Sequence, residues 1–252
     1  KRKAPNFKKI SGMKLKEVYK SSPFGVVSSF LIGISHSAVF SLIAVYATSM
    51  NFSILEVSIV TFLFAISGAI SQWPIGKLSD VLDRRIVIIY TTFGAALFCF
   101  LAIISSGQMY MPAGLATSKI FFYICIMCFS FCSLPMFALI FAHTNDFIPK
   151  EKFVAAGAGL QFVFGLGAIC GPFMCSLFME FLGENGFFIF LIIFHSFIGL
   201  FGIYRMQIRE SGDNPDSQFA PMPQTITPAG IELNPSTEPI DEPNNLNEFK
   251  KI

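Results

Sequence analysis

Six long apolar runs constrain this chain more than any other feature: residues 24–48, 54–75, 86–105, 118–142, 153–182 and 186–204 carry almost no charge. Each holds about 20 residues or more, enough for an α-helix to cross a hydrocarbon core about 30 Å thick. Lipid offers no hydrogen bonds to the backbone, so a spanning segment must satisfy its own N–H and C=O groups, as a helix does. The expected fold is therefore an all-α membrane protein, a six-transmembrane-helix bundle. With 53% hydrophobic and 15% aromatic residues among 252, the composition excludes an ordinary soluble domain.

An even number of spans puts both ends of the chain on one side. Of the 18 Lys and Arg, only Lys119 falls on the other side; the rest lie in residues 1–20, in 76–85, at Lys150 and Lys152, or beyond residue 204. The positive-inside rule assigns that side, with both termini, to the cytoplasm. Three regions follow: a basic cytoplasmic arm (1–20), the six-helix domain (21–206) and a cytoplasmic tail (207–252). The arm sets Lys1, Arg2, Lys3, Lys8, Lys9, Lys14, Lys16 and Lys20 against the single acid Glu17. Beside membrane spans, such a run fits an anionic lipid leaflet and not nucleic acid. The tail is rich in Pro, Asn, Ser and acids, with too few large apolar groups to offset the entropy of ordering, and is expected to be disordered.

The polar decapeptide Gly76-Lys77-Leu78-Ser79-Asp80-Val81-Leu82-Asp83-Arg84-Arg85 separates the second run from the third. It is expected as a tight turn at the membrane surface. Its pattern G-x-L-x-D-x-x-x-R-R resembles the signature loop of the major facilitator superfamily, transporters of twelve helices in two six-helix halves. Gly76, Leu78, Asp80, Arg84 and Arg85 fall on motif positions, whereas Val81 stands where a basic residue is usual and Asp83 where Gly is usual. Together with Gln72-Trp73-Pro74-Ile75 before it, the stretch is most similar to bacterial permeases whose substrates are mostly unassigned.

The resemblance implies alternating access by a secondary transporter of a small solute in a bacterial inner membrane, without enzymatic activity, cofactor or metal. The chain begins at Lys1 without a signal sequence, and its basic opening resembles the loop joining two such halves. It is therefore read as a carboxy-terminal half whose partner is a missing amino-terminal half or a second copy. The resemblance further implies that Asp80 docks on the amino-end of a helix in the other half, where unpaired N–H groups favour a carboxylate. Arg84 then pairs with an acid nearby, and Asp146 of the second hairpin is the candidate. Gly167-x-x-x-Gly171-Pro172 resembles a further superfamily motif, G-x-x-x-G-P.

His36 lies near the middle of the first span, with Ser29 one heptad before it. A mid-membrane ionisable group is costly and usually faces a cavity, making it the leading candidate for substrate or proton contact. The alternative is a neutral imidazole bonded to a neighbouring helix. In the superfamily the first, second, fourth and fifth helices of each half line the cavity, so Tyr46, Gln72, Tyr123, Ser130, Ser133 and Gln161 join the candidates, and His195 on the sixth span is read as structural.

Six cysteines fall within the spans, and Cys125, Cys128 and Cys132 share a helix face. A metal there would need thiolates in an apolar helix with no His or carboxylate beside them, so small core residues are the reading. Two other classes are weighed. An intramembrane hydrolase would use Ser67 and His195, which requires the two to meet. A non-transporting receptor or assembly protein would keep the scaffold and use arm and tail as interaction surfaces.

Overall fold

The computed structural model describes residues 13–108, 115–212 and 219–221. Among them are a short helix α1 (Leu15–Ser21) and the spanning helices α2 (Pro23–Ser49), α3 (Ile54–Val81) and α4 (Arg84–Gln108). A broken span follows, α5 (Leu115–Ser133) and α6 (Met136–Asn145), then α7 (Phe153–Leu182) and α8 (Gly186–Ile208). Six of these spans are long and apolar enough to cross a membrane. The six expected spans and the all-helical fold are present.

Three boundaries differ from expectation. The decapeptide is not a loop: α3 runs on through Val81, and the turn is confined to Leu82 and Asp83. Polar residues at a span's end remain good helix formers once the chain leaves the hydrocarbon, so the charges of Gly76–Val81 sit on the last turns of a helix. The fourth span is interrupted at Leu134–Pro135, where the proline ring forbids the bond that would continue α5. Residues 15–21 of the basic arm form a helix whose Val18 is fully buried, docked against α7 near Gly159. The arm's residues 1–12 lie outside the described residues.

The α2 and α7 helices cross at backbone contact. A Cβ on Gly33 would overlap the Phe164 carbonyl, one on Gly167 the Phe30 carbonyl and one on Gly171 the Ile34 carbonyl. Lipid tails are as apolar as Leu, so helices in a membrane adhere by close packing, and small residues permit it. Toward the end remote from the decapeptide, Tyr46, Phe52, Phe122, Phe187 and Phe188 fill the bundle's centre. There Ser53 and Glu56 form a capping box on α3, and Lys119 pairs with Glu56 at 2.7 Å. The burial is uneven. Only 28% of the apolar window is buried in α3 and in α7, against 67% in the α5–α6 span.

Candidate functional site

The turn after α3 organises one end of the bundle. Asp83 precedes α4, and its Oδ1 accepts the backbone N–H of Arg85 at 2.9 Å, the geometry of a helix N-cap. The same carboxylate takes the Arg85 guanidinium from Nε at 3.0 Å and Nη2 at 2.6 Å. Partial burial pushes the Asp83 pKa up, but the Arg85 hydrogen bonds outweigh it and hold it below the ordinary value. The acid at the motif's usual Gly position thus caps α4 and neutralises Arg85. Sequence reasoning noted the departure and missed the cap, although a short polar residue just before an apolar run is the signal for one.

Arg84 joins three helices. Its Nη2 donates to Asp80 on the last turn of α3 at 2.8 Å, and its Nη1 donates to Asp146 at the end of α6. The ion pair with Asp146 is nearly sealed, the two side chains being 9% and 10% exposed, whereas Asp80 is 37% exposed. His143 lies edge-on between Phe24 and Phe147, with Asp146 at 4.0 Å from its Nδ1. Arg84 is thus shared by two carboxylates, of which Asp80 is the more exposed. Gly76 faces the ring of Phe219, and Leu78 is half exposed. The proposed motif residues therefore meet at one end, except that Arg85 turns to Asp83 and the carbonyl of Arg209.

A second polar cluster lies deep between α2, α5 and α8. Ser133 Oγ is 3.1 Å from His36 Nε2 and 2.8 Å from His195 Nε2. His195 Nδ1 is 2.9 Å from the Leu191 carbonyl and 3.3 Å from Ser35 Oγ. A carbonyl only accepts, so Nδ1 of His195 carries a proton and its Nε2 accepts from the Ser133 hydroxyl. That hydroxyl then accepts from His36 Nε2–H, which also reaches the Ser133 carbonyl at 3.1 Å. The carbonyl is available because α5 stops at this residue and the last turn of a helix lacks donors. One directional chain, His36 to Ser133 to His195 to Leu191, links α2, α5 and α8. Of the two readings of His36, the geometry is that of an imidazole bonded to a neighbouring helix.

The remaining candidates separate. Tyr46 is fully buried, stacked on Phe122 and Phe187 with ring centroids 5.9 and 5.2 Å away. Ser130, also fully buried, donates to the Phe64 carbonyl. With Ser133 these candidates for the cavity lie inside the bundle, where helix-to-helix packing takes their hydroxyls or rings. Gln72, Tyr123 and Gln161 are half buried. Gln72 Oε1 is buried with no hydrogen-bond partner among the described residues. Ser67 and His195 do not meet as a hydrolase would need. Ser67 donates to the Met127 carbonyl at 2.6 Å, and His195 bonds Ser133, Ser35 and Leu191. Ser133, Ser35 and His195 are fully buried. Among the described residues no group of His, Cys, Asp or Glu is arranged to hold a metal.

The bundle and its terminal charge cluster define an integral, multi-pass α-helical membrane protein. A profile of the Major Facilitator Superfamily matches residues 25–239, and the chain belongs to that superfamily. An uncharacterised MFS-type transporter of Yersinia enterocolitica is 23% identical over 201 residues, covering 80% of this chain and 47% of the relative. The uncharacterised MFS-type transporter YfkF of Bacillus subtilis is 26% identical over 183 residues, covering 69% and 43%. One from an Enterobacter species is 24% identical over 191 residues, covering 76% and 45%. The chain thus spans about half the length of the relatives it matches. No solved structure matches it.

Proposed function

We propose that this chain is one six-helix half of a secondary transporter that moves a small solute by alternating access. The observation that carries the reading is the Arg84 bridge, which ties the last turn of α3 to the end of α6 through Asp80 and Asp146. In a rocking mechanism a half must move as a rigid body about a fixed site, and such a bridge stiffens one end of it. Asp80, 37% exposed, is the carboxylate assigned to a helix amino-end of a second half. Low burial of α3 and α7 supports the placement of that second half against them. Half-buried Gln72, Tyr123 and Gln161 are the side chains assigned to the solute path. The distribution of Lys and Arg supports a cytoplasmic position for this end, and the bacterial relatives support the inner membrane.

The test is solute flux in proteoliposomes holding this chain with a second six-helix half, screened against a panel of small molecules. Asp80→Asn is expected to lower the flux of a transported solute about tenfold while the unfolding temperature changes little. A panel in which nothing moves, or unchanged flux in Asp80→Asn, would overturn the reading.

A further inference from the structure

Beyond α8, residues 209–212 and Phe219 lie against the charged end. At Arg209 the carbonyl accepts from Arg85 Nη1 at 2.5 Å, the guanidinium donates to the Ser21 carbonyl at 2.5 Å, and its plane lies 4.0 Å over the Phe147 ring. Gly212 follows against Asp146 so closely that a Cβ there would lie 2.7 Å from the Asp146 Cβ and carbonyl oxygen. Farther along, the Phe219 backbone N–H donates to Asp80 Oδ1 at 2.9 Å. The Phe219 ring occupies the space a Cβ on Gly76 would need, and it packs against two of the three apolar clusters. These residues fall in the stretch expected to be a disordered tail from 207 onward. Of that stretch, 207–212 and 219–221 have defined positions, and the rest of the tail lies outside the described residues.

We propose that Phe219 is the intramolecular ligand of a seat made by Gly76 and Asp80. Three properties of the seat fit this occupant. Gly76 leaves a hollow in the α3 surface that an aromatic ring fills. Asp80, sharing Arg84 with Asp146, keeps an acceptor for a backbone N–H beside that hollow. Apolar side chains of two packed clusters receive the ring. Phe219 gives the motif glycine and aspartate a ligand within their own chain, one that a helix end docking on Asp80 would have to displace. The proposal goes beyond the transport reading and stands without it, since occupancy of the seat needs neither solute nor second half.

The test is cleavage after Phe219 by chymotrypsin in the purified full chain, with a free peptide of residues 213–225 as the unprotected reference. In the unmodified protein the bond is expected to be cut at least about tenfold more slowly than in the peptide, because cleavage waits for Phe219 to leave its seat. Gly76→Leu fills the hollow and is expected to bring the rate up to that of the peptide. Asp80→Asn weakens the acceptor without adding bulk and is expected to raise the rate about fivefold, a charged partner making the stronger hydrogen bond. Should Gly76→Leu fail to fold, Asp80→Asn decides. Equal rates in the unmodified chain and the peptide, or protection unchanged in Asp80→Asn, would overturn the assignment of Phe219 to this seat.

Discussion

Arg84 illustrates how the same interaction has different worth at its two ends. Its bond to Asp146 is closed off from water, whereas Asp80 remains partly solvated. Removing one partner from a buried pair leaves an uncompensated charge and costs about 3–5 kcal/mol, while exposed pairs contribute about 0–1 kcal/mol. Arg84→Ala is therefore expected to destabilise the bundle by several kcal/mol and Asp80→Ala by about 1 kcal/mol or less. The double variant Arg84→Met with Asp146→Leu should be milder than Arg84→Ala, as equilibrium unfolding in mixed micelles would reveal. Asp83 adds a pH dependence. Its folded pKa is depressed, so its stabilisation is fully present above the unfolded value of about 4 and is lost as pH falls through the lower folded value. The stability gap between the unmodified protein and Asp83→Asn should shrink as pH is taken from 5 to 3, and a gap constant with pH would contradict the assignment. Ser133→Ala breaks the histidine chain and leaves His195 Nε2 without its donor. A loss of about 1 kcal/mol is expected, as membrane hydrogen bonds are worth about that or less.

At the scale of helices, the glycines of α7 divide by what they face. Gly167 abuts the Phe30 carbonyl, while a Cβ on Gly165 meets nothing within 4 Å. Gly167→Ala must push two backbones apart and should cost about 1–3 kcal/mol, the usual penalty for overpacking. Gly165→Ala should instead be neutral or stabilising by up to about 1 kcal/mol, since alanine is the better helix former. Thermal unfolding of the two variants checks the opposite signs. The run of glycines in this span was legible in the sequence as a packing surface, because small residues recur there. Which of them touch α2 was not, since the rotation of α7 about its axis is fixed by its neighbours. The same limit applies to the fourth span. Pro135 announces a disruption, but the capture of the Ser133 carbonyl by His36, 97 positions away in sequence, depends on α2 lying alongside.

Over the whole bundle, the exposed side chains of α3 and α7, among them Trp73, Phe162, Ile169 and Phe173, form faces that either lipid or protein must cover. Cys170 lies on that face of α7 and is the exposed member of the six thiols. If a second six-helix half covers α3 and α7, Cys170 should lose most of its reaction with a lipid-soluble maleimide when that half is co-expressed. A cysteine placed at Leu200 of α8, on another face, should react equally with and without it. Equal protection at both sites, or at neither, would contradict the assignment.

The sequence by itself determined the number of spans, their helical nature and the grouping of charge at one end. These follow from the length of apolar runs and from the need of backbone groups in lipid to bond within their own segment. It also displayed the residues of the charged motif, although their placement on a helix and not in a loop was hidden, because polar residues at a span's end suit either state. Only the tertiary structure decided which partners those residues take. Asp83 closes on Arg85, Arg84 spans Asp80 and Asp146, Ser133 links two histidines, and Phe219 returns to Gly76. Most of these contacts join positions far apart in sequence. They exist because helix packing fixes which faces meet, and no local pattern along the chain encodes that.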